Sequence, residues 1–82
     1  MYKFLIYISH PYSIPIGKPL EKEIQKRGYQ VYWFSEHEYT KSYFEKGTPV
    51  LHSVKEVLDY ENDYYLNYLL LRMFRYYIYI LS

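Results

Sequence analysis

Tyr2 to Ser9, YKFLIYIS, is almost continuously apolar and rich in bulky side chains. Such a run fits a strand covered on both faces, as in a parallel sheet, better than one with a wet side. Pro11 ends it and biases His10 toward extended backbone. Ile16, Leu20 and Ile24 then recur at four-residue steps, the apolar stripe of a helix, while Glu23 and Arg27 stand at i,i+4 in the favourable order. Pro19 suits the first turn of that helix, where a missing N–H costs little. Gly28 supplies a left-handed position just past its end. Tyr29 to Phe34, YQVYWF, reads as a second strand. Strand, loop, helix, glycine and strand follow one another within about 35 residues, which makes a βαβ unit.

Two more helix starts are written as Ser-x-x-Glu: Ser35 with Glu38, and Ser53 with Glu56. The first opens a short helix carrying Tyr39, Tyr43 and Phe44, closed by Gly47. The second opens a helix with Val54, Val57 and Leu58 facing inward. Between them, residues 48–51 fit a short extended piece, with Pro49 keeping it off the centre of a sheet. Asn62 and Asp63 mark a turn, and Tyr64 to Leu71 fits a third strand. From Arg72 the pattern fits strand and helix equally.

Composition narrows the picture. Eighty-two residues allow one small domain, and a chain of this size buries little core. It has no cysteine, which rules out disulfides and thiolate metal sites. The formal charge is +1 with acids and bases mixed, so no long-range field recruits nucleic acid or anionic lipid. Fourteen tyrosines bring aromatic area together with hydroxyls that need partners or water. Residues 64–82, YYLNYLLLRMFRYYIYILS, nearly reach spanning length, but Arg72 and Arg75 near the middle are costly in lipid. A surface-lying or oligomer-buried segment is the better reading. The chain therefore divides into an α/β segment, 1–63, and an aromatic, apolar tail, 64–82.

The chemistry-bearing stretch is SHPYSIPIG, residues 9 to 17. In doubly wound folds ligands bind beyond the carboxyl ends of strands, near helix N-termini, and this loop lies there. It offers Ser9, His10, Tyr12, Ser13 and Gly17 as binding groups, with His10 able to take a proton from an acceptor hydroxyl. An equally simple reading is a stiff connection whose prolines lower the entropy of the unfolded chain. No GxGxxG fingerprint accompanies it. His10, His37 and His52 lack ligand spacing, His37 and His52 read as solvated residues beside helix starts, and neither a metal nor a cofactor is expected. Asp59, Glu61 and Asp63 open like a calcium loop but lack its glycine and its closing glutamate. Arg72, Arg75 and their tyrosines have no wider basic surface, so nucleic acid is not an expected partner.

Across ISHPYSIPIGKPLEKEIQKRGYQVYWFS, residues 8 to 35, the chain resembles the start of a GT-B glycosyltransferase. More narrowly, it resembles the CDP-glycerol glycerophosphotransferase-like proteins of bacterial envelope polymer synthesis. The likeness rests on Ser9-His10-Pro11 after an apolar strand, the Pro15 turn, Pro19-Leu20, and Arg27-Gly28-Tyr29 leading into a second strand. It continues weakly through SVKEVLDY, residues 53 to 60. The resemblance implies a partial Rossmann-like three-layer α/β unit with a parallel sheet, the incomplete N-terminal domain of a GT-B enzyme. That domain would form the acceptor side of a cleft whose other wall holds the nucleotide-activated donor, CDP-glycerol or a nucleotide sugar. His10 matches by position the histidine that serves as base or polar contact in several GT-B families. The catalytic histidines recognised in the glycerophosphotransferase group lie further along, in residues this chain does not contain. After Asp63 the composition departs from the family, so the resemblance implies a truncated or frame-shifted relative, inactive alone and cytoplasmic or at the inner face of the membrane. A competing reading is a non-catalytic interaction module whose aromatic tail meets another copy, a partner chain or a membrane surface.

Overall fold

The computed structural model describes residues 2–60 and 75–81. It is a small α/β unit with a three-stranded parallel sheet. Strand β1 (Tyr2–Ile8) lies in the middle, β2 (Gln30–Phe34) on one side and β3 (Arg75–Leu81) on the other. β1 and β2 pair from Lys3↔Gln30 to Tyr7↔Phe34, and β1 and β3 from Tyr2↔Arg75 to Ile8↔Leu81, both parallel. Beyond β2, the expected extended piece adds a parallel bridge, Trp33↔Val50, with Trp33 N–H donating to the Pro49 carbonyl and Leu51 N–H to the Trp33 carbonyl. Pro49 sits at the rim, where a missing donor is harmless.

β1 is buried on both faces, as its unbroken apolar run requires. Phe4, Ile6 and Ile8 pack with Val31, Trp33 and Ile24 of helix α1 (Ser13–Lys26), while Leu5 packs with Phe34, Leu51 and Tyr60. The second face is covered by helical residues 54–60, here α3. Tyr60 fastens α3 to the sheet by donating its hydroxyl to the Phe4 carbonyl at 3.0 Å.

α1 begins earlier than Pro19 suggests. It starts at Ser13, so Pro15 occupies the first turn and Pro19 lies inside the helix. Packing outweighs the lost N–H, because Ile14, Leu20 and Ile24 all rest on the sheet. Ile16 is not part of the inner stripe; it is 62% exposed, and Gly17 and Glu21 turn inward instead. Gly17 lies under Trp33: a Cβ there would sit 2.6 Å from the indole Cη2. The helix closes as expected. Gly28 has φ 81°, its N–H donates to Gln25 O and that of Tyr29 to Ile24 O, the paired bonds of a Schellman ending. Arg27 Nε meets Glu23 Oε1 at 3.0 Å.

Of the two Ser-x-x-Glu starts, only one caps. Ser53 Oγ accepts from Glu56 N–H at 3.1 Å, and Glu56 reaches back to His52 N–H at 2.8 Å. Helix α2 (Glu38–Lys41) instead starts after His37, and Ser35 Oγ accepts from His37 N–H at 3.3 Å. Ser35 is buried at the end of β2 and too early to cap, so Tyr43 and Phe44 fall beyond the helix. In α3, Val57 and Tyr60 face the sheet, whereas Val54 and Leu58 point outward, 59% and 52% exposed. The strand read over residues 64–71 lies outside the described residues. Residues 75–81, in the stretch the composition sets apart, pair along the whole of β1 as β3. Among the described residues no helix is long and apolar enough to cross a membrane.

Candidate functional site

All three strands run the same way, so residues following β1 and β2 emerge at one end of the sheet. The chain places β2 on one side of β1 and β3 on the other, so strand order reverses beside β1. In open parallel sheets such a reversal, here between β1 and β3, is where a crevice forms; the loop after β1 borders it, and the loop after β2 lies on the other side of β1. Ser9 and His10 follow β1 at this end; Ser35, Glu36 and His37 follow β2.

The loop after β1 is only four residues long, 9–12, because α1 takes up the rest of SHPYSIPIG. Ser13 N–H donates to the His10 carbonyl and Ile14 N–H to the Pro11 carbonyl, a tight turn that fixes where the imidazole leaves the backbone. Thr40 of α2, itself buried, donates its hydroxyl to the Ser9 carbonyl at 2.8 Å, tying the β1 loop to the segment after β2.

This tie brings rings together. His10 stacks on Tyr12 with centroids 5.4 Å apart and on His37 with centroids 6.4 Å apart, at interplanar angles of 11° and 15°. All three side chains are exposed. Beside them, the Tyr7 hydroxyl donates to Glu36 Oε1 at 2.7 Å. That carboxylate bond, then burial and the negative charge itself, raise the Tyr7 phenol above its usual 10.0, against a smaller opposing contact from the Ser9 hydroxyl. The Tyr7 phenol therefore stays a donor through neutral pH.

Of the residues singled out in the sequence, Ser9, His10 and Tyr12 are at the open end. Ser13 and Gly17 are buried inside, Gly17 against Trp33. The group missed in the sequence is His37. Spacing in the chain hides it, but its position carries the signal: it follows the second parallel strand as His10 follows the first. Among the described residues, no three metal-binding side chains gather to hold an ion.

The arrangement presents a ring platform with two imidazoles, a phenol and a carboxylate at its edge. Imidazoles placed like this can accept a proton from a hydroxyl group or hydrogen-bond to it. No family model, no curated protein and no solved structure matches the chain.

Proposed function

We propose that this unit binds a hydroxyl-bearing acceptor and forms one wall of a group-transfer site of the GT-B, CDP-glycerol glycerophosphotransferase-like kind, in the cytoplasm. The observation that supports it is the His10–His37 pair: two loops from adjacent parallel strands converge on one exposed imidazole stack. On this reading His10 takes the acceptor hydroxyl proton as that oxygen attacks the donor's phosphorus or anomeric carbon. The nucleotide phosphate departs with the bonding pair. His37 and Tyr12 each stack on the His10 ring and steady it, and Ser9 hydrogen-bonds the acceptor. The donor nucleotide rests on a second Rossmann-like wall, because the described residues form one sheet and the sequence has no glycine fingerprint.

The experiment offers the purified chain glycerol 3-phosphate as acceptor mimic and, separately, CDP-glycerol and UDP-glucose. Saturable binding of glycerol 3-phosphate that His10→Gln weakens, with no turnover of either nucleotide, is the expected result. Turnover by the chain alone overturns the one-wall reading, since positioning donor against acceptor needs both walls. Absence of acceptor binding overturns the site.

A further inference from the structure

A pair of tyrosines that the acceptor site does not use stands on the segment after β2. Tyr39 and Tyr43 are at i,i+4, so a helical turn sets both rings on one side. α2 ends at Lys41, but Ser42 N–H donates to the Glu38 carbonyl and Tyr43 N–H to the Thr40 carbonyl, which carries the turn onward. The ring centroids are 5.1 Å apart at 67°, and the two hydroxyls hydrogen-bond at 2.9 Å. Both side chains are open to solvent, Tyr39 at 67% and Tyr43 at 53%. The backbone beneath them is tied down. Thr40 bonds the Ser9 carbonyl, Lys41 Nζ donates to the His52 carbonyl at 2.8 Å, and the Phe44 ring meets Trp33 edge-on with centroids 5.5 Å apart.

We propose that Tyr39 and Tyr43 are an oxidative cross-linking site, joined as dityrosine by a one-electron oxidant of the haem-peroxidase class acting with hydrogen peroxide. The oxidised haem takes one electron from each phenol, and each hydroxyl gives its proton to water. The two phenoxyl radicals combine through a bond between the ring carbons next to the oxygens. Each of those carbons then loses its proton while its oxygen gains one, which restores both phenols. The chain loses two hydrogen atoms, and one peroxide takes up two electrons and two protons to become two waters.

Geometry selects this pair among the described tyrosines. In dityrosine the two hydroxyls sit side by side across the new bond, and the 2.9 Å contact between Tyr39 and Tyr43 already holds them so. Holding the reacting groups together turns an encounter into an intramolecular step. The rings of Tyr32 and Tyr60 are as near, with centroids 5.0 Å apart, but Tyr60 is 7% exposed and turns its hydroxyl to the Phe4 carbonyl. Tyr12 is exposed, but its ring stacks on His10 rather than on another phenol. The bond to Tyr39, first among the causes, raises the Tyr43 phenol above 10.0, so this hydroxyl keeps its proton at neutral pH. The link closes a ring around Thr40, the residue that ties this segment to the loop after β1. Oxidation therefore staples the turn that anchors the open end of the sheet. The acceptor reading uses neither phenol, and the two stand or fall separately.

The test treats the full chain, dilute, with a haem peroxidase and hydrogen peroxide, and follows intact mass and dityrosine fluorescence. The monomer should lose the mass of two hydrogen atoms and gain that fluorescence. Lys41 lies between the two phenols, so trypsin separates them into residues 28–41 and 42–46. After oxidation those two peptides should stay joined, with fragmentation placing the bond between Tyr39 and Tyr43. Tyr39→Phe and Tyr43→Phe leave both rings in place, and each should abolish the joined pair. A joined pair that survives Tyr39→Phe, or a bond mapped to Tyr29 or Tyr32 instead, overturns the proposal. So do peptides that stay separate while the same oxidant couples free tyrosine, and cross-links found only between chains.

Discussion

The indole N–H of Trp33 donates to the Glu21 carboxylate at 2.7 Å, in the interior between β2 and α1. Glu21 is 6% exposed, and its other oxygen meets Lys18 Nζ at 3.1 Å. A carboxylate on the inner side of a helix is costly to bury, and these two donors offset that cost. Glu21→Ala leaves a fully buried indole donor without its acceptor and should lower stability by about 2 kcal/mol. Glu21→Gln keeps an acceptor in place and should lose less. Urea unfolding followed by the fluorescence of the single tryptophan measures both.

The glycine inside α1 and the one just past its end should respond to alanine for different reasons. At Gly17 the new methyl meets Trp33 Cη2 at 2.6 Å and Leu81 Cδ1 at 3.1 Å. Overpacking of this kind costs about 1–3 kcal/mol and outweighs a helix-propensity gain of about 1 kcal/mol. Gly28 has open space around it but φ 81°, so Gly28→Ala should cost about 1–2 kcal/mol through the backbone alone. Replacing Trp33 by Phe should relieve Gly17→Ala and leave Gly28→Ala untouched, a contrast that double-mutant unfolding curves read directly.

Tyr7 gives a pH signature. Its folded-state pKa is raised above 10.0, chiefly by the hydrogen bond to Glu36. The folded chain then holds this proton more tightly than the unfolded one. The resulting stability is complete below pH 10 and is lost as pH climbs from the unfolded toward the folded pKa. Glu36→Gln removes the charge and should move the Tyr7 ionisation back toward 10.0. Ultraviolet difference titration of wild type, Tyr7→Phe and Glu36→Gln resolves the step against the other tyrosines.

Much of the sheet was legible in the chain because burial on two faces leaves a plain mark. The unbroken run in β1, the Schellman glycine Gly28 and the rim proline Pro49 each have one physical reading, and the structure has them there. α1 was harder, because its inner face mixes Ile24 with Ser13, Gly17 and Glu21, residues that periodicity scores as polar. The stripe through Ile16 was read one step off for that reason. The His10–His37 stack was not legible at all, since it depends on two parallel strands delivering their loops to one end. His37 has no local signal beyond its place after β2.

On the proposed function, His10 and His37 form one ligand-facing group while His52 stands apart. Long-range proton–nitrogen spectra of the three imidazoles during a titration with glycerol 3-phosphate test it most directly. The His10 and His37 signals should move together on one saturable curve, His52 should stay still, and His37→Ala should weaken the curve. His10 and His37 signals that do not move, or that shift no more than His52, would contradict it.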